Sequence, residues 1–275
     1  MDHGIITFIG GGNMAASLIG GLINNGYPTA HIRAAEPLAA RRDYLGAQFG
    51  IACFEDNVTA CDGAAVVVLA IKPQVMPAVA SGLGAGIRDS QPLLLSIAAG
   101  IREPDIRRWL GFEASIVRTM PNTPALVGSG VTGAFANNVV SAEARAAADD
   151  ILRAVGTTVW VDDEDLIDAV TAVSGSGPAY FFMLMEHLAA TGQKLGLSAE
   201  AANALALQTA LGAARIAIEG DDPPGVLREK VTSPGGTTER ALGIFKEGGI
   251  SGLVESAVTG ARDRARELAD ELGKS

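Results

Sequence analysis

Two groups of residues in this chain carry chemistry by their type and spacing. The first is Thr232-Ser233-Pro234-Gly235-Gly236-Thr237-Thr238, set between the helix-like stretches Pro224–Val231 and Glu239–Lys246. A helix N-terminus leaves its first N–H groups without internal partners, and its dipole favours negative charge. Glycines let the main chain come close to a ligand. This loop therefore reads as a main-chain cradle for a small anion such as a carboxylate. The second group is Ile9-Gly10-Gly11-Gly12-Asn13-Met14-Ala15, which fits the pattern G-x-G-x-x-A. There Gly10 makes the tight turn, Gly12 clears room for a pyrophosphate, and Ala15 permits close helix–strand packing. The run ends one strand-like stretch, opens a helix-like one, and is followed at the proper distance by a second strand ending in Glu36. That context turns a weak motif into a specific one. The phosphates would sit on the N–H groups opening the first helix.

Glu36 reads two ways. A carboxylate there accepts hydrogen bonds from a ribose 2′-hydroxyl and repels a 2′-phosphate. Arg41 and Arg42 follow one helical turn later and carry the right charge for a phosphate, or are solvated helix-face charges. The segment leaves NADH and NADPH both open. Ligands in open parallel sheets bind beyond the carboxyl ends of the strands, and three more strand ends look suitable: Ala70-Ile71-Lys72-Pro73, Ser96-Ile97-Ala98-Ala99-Gly100 and Arg118-Thr119-Met120-Pro121-Asn122-Thr123-Pro124. Lys72 is either a cofactor anchor or a strand-end lysine reaching solvent. Ser174-Gly175-Ser176-Gly177-Pro178-Ala179-Tyr180 reads as a polar, flexible corner between two helices. It either presents Ser176 to the cofactor's reactive end or is simply a tight helix–helix turn.

The elements that must position these groups divide at about Asp162. Before it, strand-like and helix-like patterns alternate, which argues for a parallel sheet. Strands are expected at Gly4–Ile9, His31–Glu36, Ile51–Phe54, Ala64–Ile71, Leu93–Ile97, Ala114–Arg118, Val131–Ala136 and Thr157–Val161. Helices are expected at Met14–Asn25, Leu38–Gln48 and Ala142–Val155. After it, strand signals vanish and helices are expected at Glu164–Val173, Pro178–Leu195, Ala199–Glu219, Pro224–Val231, Thr238–Lys246 and Ile250–Leu272. The stretch Ala202–Ile218 is so apolar that it must be buried in a core or against another subunit. The expected division is residues 1–162 as a dinucleotide-binding domain and 163–275 as an all-helical domain, which argues for an obligate dimer.

A net charge of −10 over 275 residues, with no basic stripe, argues against nucleic acid and anionic membrane as partners. It also repels an anionic substrate at long range, so an anion site has to be made locally. Cys53 and Cys61 form no disulfide framework and read as apolar fillers in a reducing cytoplasm. Ile5–Ile9 reads as a strand and not a signal peptide, and the apolar run Gly63–Ile71 is too short to span a bilayer. The three histidines, His3, His31 and His187, have no metal-ligand spacing, so no metal is expected.

Taken in order, Gly10–Ala15, Ala70–Pro73, Ser96–Gly100, Asp165-Leu166-Ile167-Asp168-Ala169-Val170-Thr171, Ser174–Tyr180 and Arg228–Thr238 make the chain resemble a pyrroline-5-carboxylate reductase over nearly its full length. The most specific pieces are Leu227–Phe245 and the Ser174–Tyr180 segment. The resemblance implies a Rossmann domain followed by an all-α dimerisation domain like the C-terminal part of 6-phosphogluconate dehydrogenase. It implies NADPH- or NADH-dependent reduction of Δ1-pyrroline-5-carboxylate to L-proline, the last step of proline biosynthesis, by a homodimer that assembles further, as in five dimers forming a decamer. Carried over, Gly10–Met14 hold the pyrophosphate and Asn57 lies near the adenosine. Ala70, Ile71, Lys72 and Pro73 with Ile97, Ala98 and Ala99 line the ribose and nicotinamide. Ser233, Gly235, Gly236, Thr237 and Thr238 hold the substrate. Two residues depart from the family's pattern: Glu36 stands where many NADPH-preferring members carry small or basic residues, and Thr237 where some have alanine.

The residues agree with that chemistry. Hydride transfer to a cyclic imine needs an electrophilic C=N, which protonation of the nitrogen from solvent supplies. No strong protein acid is then required, and Thr238 is the expected hydrogen-bonding group near the nitrogen, with the carboxylate on the N–H groups of Gly235–Thr237. β-Hydroxyacid dehydrogenases of similar plan place a lysine where Phe181 stands, and none occurs here until Lys194. A related imine or hydroxyacid reductase and a non-catalytic nicotinamide-binding regulator remain the alternatives at this point.

Overall fold

The computed structural model describes residues 4–274, so His3 lies outside the described residues. The N-terminal part folds around an eight-stranded sheet of order β3-β2-β1-β4-β5-β6-β7-β8. The strands are β1 (Ile5–Ile9), β2 (Ile32–Ala35), β3 (Ala52–Phe54), β4 (Ala64–Leu69), β5 (Leu93–Ser96), β6 (Ile116–Met120), β7 (Gly130–Ala136) and β8 (Gly156–Trp160). All eight expected strands are present. Residues on each strand alternate between two cores, as a period of two dictates for a sheet covered on both faces. Ile6, Phe8, Val66, Val68, Leu93 and Leu95 face one core, while Ile9, Val67, Leu69 and Leu94 face the other.

The last two strands run opposite to the other six. β7 pairs antiparallel with β6, through Val117↔Ala136 and Met120↔Gly133, and then parallel with β8. The reason is length: the connection from Pro121 to Ser129 holds only a 3₁₀ turn, Thr123–Val127. A parallel crossover needs about a dozen residues or more.

The helices of this part are α1 (Asn13–Asn24), α2 (Ala39–Phe49), α3 (Asn57–Ala60), α4 (Met76–Ile87), α5 (Glu103–Leu110) and α6 (Ala142–Arg153). Three of them, α3, α4 and α5, are not signalled by the pattern. In α4 the glycines Gly82, Gly84 and Gly86 mask the helical period, since glycine is the poorest helix former after proline. Packing explains one of them. A Cβ on Gly84 would lie 2.3 Å from the Leu110 carbonyl oxygen, so the glycine permits the close approach of α4 to α5.

The remaining helices are α7 (Leu166–Val170), α8 (Gly177–Lys194), α9 (Ala199–Glu219), α10 (Pro224–Lys230), α11 (Thr237–Glu247) and α12 (Ile250–Leu272). The expected flexible corner at Ser174–Tyr180 is instead helical. A π-helical turn spans Thr171–Gly175, Ser176 keeps right-handed helical angles, and α8 begins at Gly177. The hydroxyls of Thr171 and Ser174 turn back onto the carbonyls of Ile167 and Val170. The Ser-Gly sequence thus satisfies its polar groups within a helix and not by breaking it.

By contacts the chain forms two compact units, one running to Ser176 and resuming at Ala261, the other Gly177–Gly260. This division differs from the change of texture at Asp162, because α7 and the end of α12 pack with the sheet. The second unit has little core of its own. Its buried apolar residues are alanines, Ala189, Ala202 and Ala206, where α8 meets α9. Phe181 and Phe182 are exposed, as are Leu205, Leu211, Ile216 and Ile218. The helix α9 is by length and composition apolar enough to cross a bilayer, with 11% of that stretch buried.

Cys61, at the end of α3, is buried, and burial pushes its thiol pKa up to about 12. Thiolate, not thiol, is the nucleophile. Cys61 should therefore resist Ellman's reagent at pH 8 in the native chain and react once the chain is unfolded. Stoichiometric modification of Cys61 in the native protein, read by peptide mass spectrometry, would contradict this burial.

Candidate active site

The register of the sheet collects the strand ends foreseen from the sequence. Ile9 pairs with Ala35 on one side and Leu69 on the other, and Leu69 pairs with Ser96. Backbone bonds extend the ladder past the strands: Gly10 N donates to Ala35 O (2.8 Å), Ala70 N to Ile9 O (2.8 Å) and Ile97 N to Leu69 O (3.2 Å). Gly10–Ala15, Glu36, Ala70–Pro73 and Ile97–Gly100 therefore lie along one edge. They straddle the point between β1 and β4 where strand order reverses, the place where open α/β sheets bind ligands.

The glycine loop has the geometry its pattern requires. Gly10 has φ +93°, and a Cβ there would sit 2.5 Å from the Ala70 carbonyl oxygen, so only glycine fits. Gly12 caps α1 without a side-chain partner for the first-turn N–H groups. A Cβ on Gly12 would meet nothing within 4 Å, and Gly12 and Asn13 are exposed while Ala15 is fully buried. Open space over unpartnered helix N–H groups suits a dinucleotide pyrophosphate. Lys72 and Ala99 are exposed, Ile71, Pro73 and Ile97 half-buried, and Ala98 buried. Asn57 opens α3 just beyond β3, whose end meets Glu36 through Glu36 N donating to Phe54 O (2.9 Å).

The charged residues beside the loop are not free. Glu36 accepts from Gly11 N (2.9 Å) and Leu38 N (3.1 Å). Arg41 donates to Gly11 O and lies over the Tyr44 ring. Arg42 donates to Glu36 O (2.7 Å) and Pro37 O (2.8 Å) and pairs with Glu55 (3.3 Å). Both arginines are thus held by protein acceptors in preference to standing as solvated charges.

The third strand end divides into two roles that the sequence does not separate. Arg118 is 2% exposed and pairs with Glu164 (3.0 Å) and Asp168 (3.5 Å), and Arg266 adds a longer contact to Asp168 (3.7 Å). Glu164 also accepts from Glu103 N (2.6 Å). This is a buried structural tie among β6, α5, α7 and α12. A charged residue inside the buried strand Ile116–Met120 was the signal for it. Asn122 instead positions the loop: its amide donates to Ser174 O (3.1 Å) and its carbonyl accepts from Val131 N (3.0 Å). It pins the Pro121–Pro124 turn to the π-helical segment that precedes Ser176.

In the helical unit, Gly235 has φ +72° and Gly236 caps α11 with no side-chain partner. Thr237 and Thr238 are therefore the first two residues of that helix. The loop's N–H groups are not all open, however. Gly235 N donates to the Glu239 carboxylate (2.7 Å) and Gly236 N to Ser233 O (3.0 Å). Thr238 is half-buried, while Ser233 and Thr237 are exposed.

A two-faced, mostly parallel sheet with an intact dinucleotide loop, followed by a helical unit with an uncovered apolar face, defines an NAD(P)H-dependent oxidoreductase. Residues 164–268 match the family described as pyrroline-5-carboxylate reductase dimerisation, and residues 5–100 match one described as NADP oxidoreductase, coenzyme F420-dependent. The chain is 51% identical to the pyrroline-5-carboxylate reductase of Pseudomonas aeruginosa and 44% identical to that of Haemophilus influenzae, each over 98% of both chains. It matches the structure of a pyrroline-5-carboxylate reductase from Coxiella burnetii with TM-score 0.94 and 43% identity, covering 97% of this chain and 99% of that one. A Plasmodium falciparum pyrroline carboxylate reductase with NADP bound matches with TM-score 0.85 at 28% identity, covering 98% and 99%. The chain belongs to the pyrroline-5-carboxylate reductase family. Its activity is the reduction of Δ1-pyrroline-5-carboxylate to L-proline with NAD(P)H.

Proposed function

We propose that the loop Thr232–Thr238 holds the substrate and that Thr238 is the group addressing its ring nitrogen. The observation that carries this is the seat Glu239 already takes: a carboxylate rests on Gly235 N at 2.7 Å, at the uncapped start of α11. In this reading Glu239 yields that N–H to the substrate carboxylate, with Gly236, Thr237 and the Ser233 hydroxyl alongside. The Thr238 side chain, one residue further into the helix, meets the imine nitrogen, which arrives protonated from solvent.

Bound NAD(P)H supplies the hydride. The chain's own residues bind and orient: Gly10, Gly11, Gly12, Asn13 and Met14 at the pyrophosphate, Ile9 and Ala15 packing beneath, Glu36 and Asn57 at the adenosine side. Ala70–Pro73 and Ile97–Ala99 lie at the nicotinamide side, with Ser176 near the reacting centre. Holding the reactants in register can supply several kcal/mol of the barrier reduction, and the cofactor carries the electrons.

In the same reading residues 1–162 serve cofactor binding and 163–275 serve substrate binding and dimerisation, and the enzyme works in the cytoplasm without nucleic acid or membrane. The exposed apolar side chains of α8 and α9 support a homodimer, and a decamer of five dimers is the further assembly proposed. The net charge of −10 supports the absence of nucleic acid.

The test is NAD(P)H absorbance with pyrroline-5-carboxylate. Thr238→Ala should lower kcat by about 10- to 100-fold, the loss expected for one hydrogen bond to a charged group. The dissociation constant for the dinucleotide should stay the same. Unchanged turnover removes Thr238 from this role.

A further inference from the structure

We propose that Glu36 is the residue that sets cofactor preference, and that it makes this chain select NADH over NADPH. The inference rests on the reading of the Gly10–Ala15 loop as the dinucleotide site. Glu36 ends β2 beside that loop, where the adenosine ribose of a bound dinucleotide lies. A carboxylate on a flexible stem tolerates a neighbouring phosphate by swinging away, but this one is fixed at both oxygens. Oε2 accepts from Gly11 N (2.9 Å) and Oε1 from Leu38 N (3.1 Å). Leu45 closes the space behind Gly11, since a Cβ on Gly11 would lie 2.6 Å from Leu45 Cδ1 and 3.3 Å from Glu36 Oε2. Rotating Glu36 out of the way costs both charge-assisted bonds.

The nearest positive charges, Arg41 and Arg42, are each engaged by protein groups. Arg42 spends its guanidinium on the carbonyls of Glu36 and Pro37 and on Glu55. Arg41 is held on the Gly11 carbonyl and the Tyr44 ring. A 2′-phosphate at this place in the fold is accommodated by a nearby arginine fork. Here a fixed negative charge is presented in its place, a repulsive element of the kind that builds specificity. The ribose of NADH, in contrast, offers hydroxyl donors to the carboxylate.

The experiment is a fluorescence titration of the full-length protein with NADH and with NADPH, without substrate, so that it reads binding and not turnover. The wild type should bind NADH about tenfold tighter than NADPH or better, the ratio given by a difference of about 1.4 kcal/mol. Glu36→Ala should tighten NADPH binding by a similar factor and weaken NADH binding. Glu36→Gln keeps an acceptor for Gly11 N and removes the charge, so it should shift the ratio in the same direction with the loop geometry retained. Equal or tighter binding of NADPH by the wild type overturns the proposal, as does an unchanged ratio in both variants. Failure of the wild type to bind either dinucleotide overturns the cofactor-site reading and this proposal with it.

Discussion

Gly12→Val abolishes dinucleotide binding and leaves the fold intact; that is the result expected from the geometry of the loop. Gly12 has φ −65° and ψ −177°, angles open to any residue, and a Cβ placed there meets no atom within 4 Å. No backbone strain and no clash attend the substitution, so the melting temperature should hold to within about 2 °C, less than 1 kcal/mol moves it in a chain of this size. The branched side chain fills the space over the first-turn N–H groups of α1, where the pyrophosphate sits. Affinity for NADH and NADPH should fall by at least about 100-fold, because phosphates that cannot reach those N–H groups lose several charge-assisted bonds at once. Fluorescence titration and thermal unfolding of the same sample check both halves. Retained binding would move the cofactor elsewhere. Gly10→Ala is the contrasting case: at φ +93° and 2.5 Å from the Ala70 carbonyl oxygen, a methyl group there disturbs the fold itself.

Arg118→Ala should destabilise the N-terminal unit by about 3–5 kcal/mol, the cost of removing one partner from a buried ion pair. Arg118 and Asp168 are both 2% exposed. Without the guanidinium, Asp168 keeps only Arg266 at 3.7 Å, and Glu164 keeps only the Glu103 N–H among the bonds described here. Because the network ties β6 to α5, α7 and α12, its loss should also loosen the attachment of α7. Thermal unfolding should show a drop of roughly 10 °C, and hydrogen exchange should rise in α7 and at the end of α12. A change below about 1 kcal/mol would mean that the pair is dispensable, as some buried pairs are when their desolvation cost equals their attraction.

The parts of the molecule governed by short-range pattern were legible. Strands β4 and β5 announce themselves as continuous valine and leucine runs because both faces are covered. The bounds of α9 and α12 coincide with their apolar patterns, since the period of 3.6 runs uninterrupted. The glycine loop was legible because a left-handed turn and a close backbone approach each demand glycine at a set spacing. The helices α4 and α5 were not, because Gly84 is selected by the proximity of Leu110, a residue distant in sequence. The Ser174–Tyr180 segment misled for a related reason. Serines and glycines favour turns locally, yet a π-helical turn satisfies them with the carbonyls of the preceding helix.

By itself the sequence determined which residues are able to do chemistry here: a glycine turn able to approach a phosphate, an uncapped helix start rich in hydroxyls, and no lysine where a hydroxyacid dehydrogenase needs one. These are properties of residue type and local spacing, and they survive without knowledge of neighbours. Only the tertiary structure decided what the charged residues do. Whether Arg118 reads a ligand or ties elements together depends on Asp168 and Glu164, which lie some fifty residues away. Whether Glu36, Arg41 and Arg42 welcome or repel a phosphate depends on which acceptors and donors already hold them. A charge is neutralised, fixed or freed by its partners in space, and sequence order does not name those partners.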